Sequence, residues 1–215
     1  IILGANTQKK ANSTTGWKYF DSMVIVDNNL NIIAQYDKKK LVPFGEFLPF
    51  ETFLNKIGIK KITPGYSSFA KGKSDSVIKF KFNNKDISFL ALICYEIIFP
   101  NLIEKNKNRF NFVANISEDA WFGDTIGPHQ HFSKAIFRSI ESEVYTIRSA
   151  NKGISAFLSP NGKILKSLSL NEAGNIEMQL PILKTNREGY KKSLIFLLLL
   201  ITFIFTFFLL KKFRL

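Results

Sequence analysis

The stretch Ile87-Ser88-Phe89-Leu90-Ala91-Leu92-Ile93-Cys94-Tyr95-Glu96-Ile97-Ile98-Phe99-Pro100 decides how the chain is read. Its first seven residues are almost wholly apolar and too few for a helix, which fits a central strand covered on both faces. The run stops at Cys94, the only cysteine, and Glu96 follows two positions on. Pro100 suits the first turn of a helix, expected to run to about Asn108. A thiol at the end of a buried strand has backbone N–H groups after it that can face a developing oxyanion. Unpaired cysteine is also among the most buried and inert residue types, so position alone leaves both readings open.

Outward from this strand, Val77 to Phe82 is expected to pair with it as a hairpin across Asn83-Asn84-Lys85. Ser22 to Val26 and Ile32 to Tyr36 read as strands joined by Asp27-Asn28-Asn29. The opening Ile1-Ile2-Leu3-Gly4-Ala5-Asn6 reads as a core strand, with a polar loop from Thr7 to Thr15 after it. Lys38 to Phe50 is irregular, broken by Pro43, Gly45 and Pro49, and its Phe44, Phe47 and Phe50 must fold over a core or touch lipid. Downstream, Phe112 to Ile116 is the next buried strand. Phe132, Ile136, Ile140, Val144 and Ile147 predict one amphipathic helix from about His129 to Ser149. Ser155 to Leu158 and Ile164 to Leu168 form a hairpin across Pro160-Asn161-Gly162, and Asn175 to Leu180 is expected as an edge strand. Apolar strands interleaved with helices imply an α/β domain whose sheets are covered by helices.

A chain of 215 residues has room for one such domain with a sizeable core. One cysteine excludes an intrachain disulfide and a cysteine-based zinc site. The net charge of +13 points to an anionic partner. The lysines are scattered among asparagine, isoleucine and phenylalanine along the whole chain, which argues against a nucleic-acid stripe and for a lipid surface. Ser193 to Leu210 reads SLIFLLLLITFIFTFFLL, with no charge in eighteen positions. At about 1.5 Å per residue it covers roughly 27 Å, enough for a membrane span. Lysine and arginine flank both ends, so charge alone does not orient it. The expected organisation is a catalytic domain over 1–183, a linker over 184–192, a transmembrane helix over 193–210 and a basic tail over 211–215. The apolar start without methionine reads as the C-terminal part of a longer protein.

Two further segments could join Cys94 in chemistry. In Tyr36-Asp37-Lys38-Lys39-Lys40-Leu41-Val42-Pro43-Phe44-Gly45-Glu46, Lys39 and Lys40 read as solvated. Lys38 follows a strand end, where its ammonium can stabilise a thiolate and an oxyanion. In Asn115-Ile116-Ser117-Glu118-Asp119-Ala120-Trp121-Phe122-Gly123-Asp124 a strand leads into an exposed Trp-Phe pair, with His129 and His131 beyond. Two histidines two positions apart at a helix start point in different directions, and no third metal ligand is in evidence. A cysteine–histidine dyad stays open.

The segments YDKKKLVPFGEFLPF, ALICYEIIFP and NISEDAWFGDTIGPHQHF resemble, in order and spacing, the nitrilase superfamily, and most closely its membrane branch, the apolipoprotein N-acyltransferases. The resemblance implies a nitrilase-type α-β-β-α sandwich, incomplete at its N-terminal side, with a Glu-Lys-Cys triad and no cofactor or metal. By the same resemblance Cys94 matches the nucleophile, Lys38 the catalytic lysine, Glu46 and Glu96 further acids of the site, and Tyr95 the residue after the nucleophile. Phe44, Phe47, Trp121 and Phe122 would face lipid. The implied reaction takes an acyl chain from a phospholipid onto the cysteine and gives it to the amine of a diacylated apolipoprotein. It implies a monomer in a bacterial inner membrane, with the catalytic domain on the periplasmic side. The triad glutamate should lie upstream of the lysine, yet residues 1–37 contain none, so the chain as given is expected to be inactive. Asp21, Asp27 and Asp37 are one carbon shorter and close to turns and strand ends. Lys40 stands where the family often has histidine, and Glu118 where it often has a neutral residue. A membrane-tethered amidase and a non-catalytic anchored module are the rival readings.

Overall fold

In this computed structural model the described residues are 1–10, 16–58, 61, 68–82, 85–183 and 190–213. Nine strands are described: β1 Ile2–Lys10, β2 Trp17–Val26, β3 Ile32–Asp37, β4 Val77–Phe82, β5 Lys85–Ile93, β6 Phe112–Glu118, β7 Tyr145–Asn151, β8 Ser155–Leu158 and β9 Ile164–Leu168. The helices are α1 Glu51–Lys56, α2 Pro100–Glu104, α3 Gly127–Ser142 and α4 Tyr190–Phe213. The chain divides into two units, Ile1–Thr185 and Asn186–Leu215.

The apolar run becomes β5, second in a six-stranded sheet of order β4-β5-β6-β7-β8-β9. β5, β6 and β7 run parallel, and α2 and α3 lie in the two crossovers that parallel pairing requires. The other pairs are antiparallel, including the β4–β5 and β8–β9 hairpins. A separate antiparallel sheet has the order β1-β2-β3. Successive β5 side chains enter opposite layers, as strand geometry dictates. Phe89, Ala91 and Ile93 pack with Met23, Ile25 and Tyr36 of the small sheet. Leu90 and Leu92 pack with Leu102 and Ile103 of α2 and Phe132 and Ala135 of α3. The strand is therefore buried on both faces, as its composition predicts. The fold is the α/β arrangement of two stacked sheets with helices outside. Among the described residues the sheet-packed helices lie on the six-stranded sheet alone, so the sandwich's other helical layer has no counterpart there.

Several boundaries differ from expectation. β1 continues through Thr7 to Lys10 where a loop was expected. Among the described residues it pairs only with β2, and its residues are exposed apart from a half-buried Thr7, so there it is an edge strand and not a core one. α2 ends at Glu104, short of Asn108, because Asn106 Nδ2 donates to the Leu102 carbonyl at 2.7 Å and Asn108 turns left-handed. The helix expected over His129–Ser149 is two elements. Glu143 adopts φ 55 and ends α3, and Ile147 belongs to β7. Phe132, Ala135, Ser139 and Ser142 form the buried face of α3, whereas Ile140 is largely exposed. The residues from Asn175 to Leu180 form no strand, which leaves β9 at the sheet edge. The tips expected at residues 11–15 and 83–84, most of the linker (184–189) and the tail end (214–215) lie outside the described residues.

In the second unit, α4 spans Tyr190–Phe213 and contains an 18-residue window, Leu194–Lys211, of mean hydropathy 2.7. Its two threonines do not interrupt the apolar surface. Thr202 Oγ1 donates to the Leu199 carbonyl at 2.8 Å, and Thr206 Oγ1 to those of Thr202 and Phe203.

Candidate active site

Cys94 stands where β5 stops, at φ 48, a left-handed conformation that costs a side-chain-bearing residue about 1–3 kcal/mol. It opens a 3₁₀ turn, Cys94–Ile98. Glu96, fully buried within that turn, accepts the backbone N–H groups of Ile93 at 3.0 Å, Lys39 at 2.8 Å and Lys40 at 2.9 Å, and the Tyr36 hydroxyl at 2.9 Å. One carboxylate thus ties the cysteine turn to the segment that leaves β3. Burial pushes the Glu96 carboxyl above its ordinary range against the pull of those donors.

Lys38 is the first residue of that segment and is also fully buried. Its ammonium donates to Glu46 and lies 3.4 Å from Asp21 Oδ2. Glu46 is itself fixed, its second oxygen accepting the Val42 N–H at 3.0 Å. Burial disfavours the Lys38 charge, but Asp21, Glu46 and Cys94 outweigh it and hold the amine above its usual pKa. Burial also raises the Asp21 carboxyl, against the attraction of Lys38.

The cysteine is braced from the other side by the ends of β6, α3 and β7. His131 Nε2 lies 3.2 Å from the Cys94 carbonyl oxygen, and its Nδ1 lies 2.9 Å from Asp119 Oδ1. Arg148, fully buried, donates to Asp119 Oδ2 at 2.7 Å and to Asn115 Oδ1. Ser117 adds a donor to Asp119 at 2.7 Å. Burial opposes the Asp119 charge, but His131, Arg148 and Ser117 prevail and lower its pKa to about 2. A negative charge on Cys94 acts favourably on both Lys38 and Arg148.

Lys38 thus contacts Glu46 directly, Glu96 is bonded to the neighbours Lys39, Lys40 and Ile93, and Cys94 lies within electrostatic reach of Lys38. Tyr95 is partly exposed, edge-on to Phe99 at 6.0 Å and 6.3 Å from the His131 ring. Phe122 lies 5.4 Å from the same ring, and Trp121 beside it is exposed. Phe44 is exposed in the 38–50 loop, and Phe47 is half-buried with the Lys71 ammonium over its ring. The two aromatic pairs thus belong to different segments. Sequence reasoning set Asp21 aside as too short, and passed over Tyr36, Asp119, Arg148 and the bracing role of His131. The β2–β3 register, Ser22 opposite Asp37, sets Asp21 beside residue 38. An arginine at an inward position of β7 was the one sequence sign of the second network.

Residues 1–186 match the carbon-nitrogen hydrolase family. The chain is 36% identical over 181 residues to the apolipoprotein N-acyltransferase of Brucella suis, covering 84% of this chain and 34% of that protein. It is 40% identical over 174 residues to the enzyme of the same name from Allorhizobium ampelinum, covering 81% and 32%. For the Rickettsia prowazekii enzyme of that name the figures are 36% over 181 residues, 84% and 35%. The chain thus spans about a third of the length of these relatives. Among solved structures, an amidase from Nesterenkonia sp. superposes with TM-score 0.53 at 15% identity, covering 80% of this chain and 59% of that one. A carbon-nitrogen hydrolase from Helicobacter pylori gives 0.55 at 13%, covering 80% and 60%. At these identities the structural likeness bears on fold.

Proposed function

The chain belongs to the carbon-nitrogen hydrolase family, and from that premise we propose that it performs N-acyl transfer, moving an acyl chain from a phospholipid through Cys94 to the amino-terminal amine of a diacylglyceryl-cysteine lipoprotein. The observation that carries this reading is the buried Lys38 ammonium, held by Glu46 and Asp21 within electrostatic reach of Cys94, which stands in a left-handed turn. The name shared by relatives at 36–40% identity supports N-acyl transfer to an apolipoprotein.

Cys94 Sγ attacks the ester carbonyl, and the oxygen that becomes negative is stabilised by Lys38 and by backbone N–H groups of the turn. The C–O bond breaks, the departing lyso-lipid alcohol takes a proton, and a thioester remains. The acceptor amine then attacks the thioester, loses a proton, and the S–C bond breaks to restore Cys94. The thiol proton goes to a carboxylate, the place the resemblance gives to a glutamate that residues 1–37 lack. Asp21 and Glu46 keep Lys38 charged and fixed. Glu96 is a positioning residue, since its oxygens are taken by four donors of the fold. Turnover of a phospholipid by the 215-residue chain alone is accordingly expected to be slow. α4 holds the protein in an inner membrane, with the site on the periplasmic side, where Phe44, Phe47, Trp121 and Phe122 meet acyl chains.

An activated ester loads Cys94 without protonation of its leaving group, and the fate of the loaded acyl group then separates transfer from hydrolysis. The protein is loaded with p-nitrophenyl hexanoate and then given a diacylglyceryl-cysteine peptide. The peptide's mass should rise by one hexanoyl group. Release of hexanoate with the peptide unchanged would support the amidase reading instead, and absence of any loading would support the non-catalytic one.

A further inference from the structure

A basic cleft adjoins the segment that carries Lys38. Its volume is about 570 Å³, and its charged lining residues are Lys39, Lys40, Lys71, Lys105, Arg109 and Asp75. Five of these residues are cationic and one is acidic. The acid, Asp75, is already occupied: it pairs with Arg109 and accepts the Val77 N–H at 3.1 Å. Among the described residues Lys39, Lys40, Lys71 and Lys105 have no ion-pair partner. Three of the four are steered by aromatic rings: Lys39 over Tyr36 at 6.0 Å, Lys40 over Phe99 at 5.7 Å and Lys71 over Phe47 at 5.8 Å.

The cleft is also mechanically joined to the site. The N–H groups of Lys39 and Lys40 are held by Glu96, and the Gly72 N–H donates to the Lys38 carbonyl at 2.8 Å. Gly72 lies so close to the β3 end that a Cβ there would fall 1.9 Å from the Asp37 carbonyl oxygen. Lysines without an ion-pair contact, of which Lys39 alone feels the Asp75 charge, stand beside apolar Leu41, Phe47, Phe99 and Leu102 and suit a ligand that is anionic at one end and apolar at the other. A cleft of this volume falls in the range that takes a small molecule.

We propose that this cleft binds a phosphate ester, the headgroup phosphodiester of the acyl-donor lipid, and so sets the donor's ester bond near Cys94. The assignment of donor rests on the acyl-transfer reading; the anion-binding chemistry does not. Lys39 and Lys40, which sequence reads as solvated, thereby gain a function.

The test is calorimetric titration of the full chain in neutral detergent with glycerophosphoglycerol, inorganic phosphate and glycerol. Glycerophosphoglycerol should bind, and glycerol should not. The exposed pair Lys71→Gln/Lys105→Gln should weaken binding at least tenfold, while Lys71→Arg/Lys105→Arg should retain it, which separates charge from misfolding. Cys94→Ala should bind as the wild type does, so failure of the acyl-transfer reading would leave this result standing. Equal binding by wild type and the glutamine pair would overturn the proposal. Binding of inorganic phosphate without the diester would overturn the headgroup assignment in favour of a free-phosphate site.

Discussion

Glu96 sits two residues from the thiol, yet its carboxylate is taken up by four donors that join two loops. In Glu96→Gln the amide must turn an N–H₂ toward at least one of these donors. The expected cost is about 1–3 kcal/mol, read as a lower thermal midpoint, with slower acylation because the Lys38 turn is no longer pinned. Asp119 gives a pH-dependent counterpart. Its folded pKa, about 2, lies below the ordinary 3.8 of the unfolded chain, so its stabilisation is complete above 3.8 and is lost as pH falls through about 2. Asp119→Asn lacks this contribution and leaves the buried Arg148 without its carboxylate, a loss of roughly 3–5 kcal/mol. In urea titrations the gap between wild type and variant should be constant above about pH 5 and narrow as pH falls from 3.8 to 2. A gap independent of pH would mean that Asp119 is not held by these charges. At this scale the sequence singles out Cys94, Lys38, Glu46 and Glu96 because residue type and motif coincide, and the structure buries Lys38 and Glu96 in hydrogen-bonded positions. Asp21 and Arg148 are not singled out, because their roles arise from strand register and depth.

Among elements, β5 was readable because a short apolar run has one stable place, between a sheet and a helical layer. α3 was misread because the same core receives the helix and the strand after it, so one apolar spacing runs on across the break at Glu143. The turn between β7 and β8 shows how closely elements meet at the site. A Cβ on Gly153 would fall 2.3 Å from Asp119 Oδ2 and 2.7 Å from its Cγ. Gly153→Ala must therefore displace the carboxylate that serves His131 and Arg148. We expect a loss of about 1–3 kcal/mol in stability, as overpacking typically costs, together with a fall in acylation rate. Unchanged values for both would show that Asp119 has room to move.

For the whole molecule, composition fixed less than patterning. The charge of +13 is spread over the chain, and only folding gathers Lys39, Lys40, Lys71, Lys105 and Arg109 around one cleft. The C-terminal apolar segment was legible from sequence as one long helix, apolar all round, with the length and composition of a membrane span. In carbonate washing at high pH the protein should remain with the membrane pellet, and its appearance in the supernatant would count against a spanning α4. The central claim is that Cys94 is a nucleophile served by the Lys38 ammonium. Its most direct test is intact-mass measurement after exposure to p-nitrophenyl hexanoate. The wild type should gain one hexanoyl group, Cys94→Ala none, and Lys38→Ala the same group at least tenfold more slowly. An adduct of equal rate in Cys94→Ala, or full-rate acylation in Lys38→Ala, would contradict it.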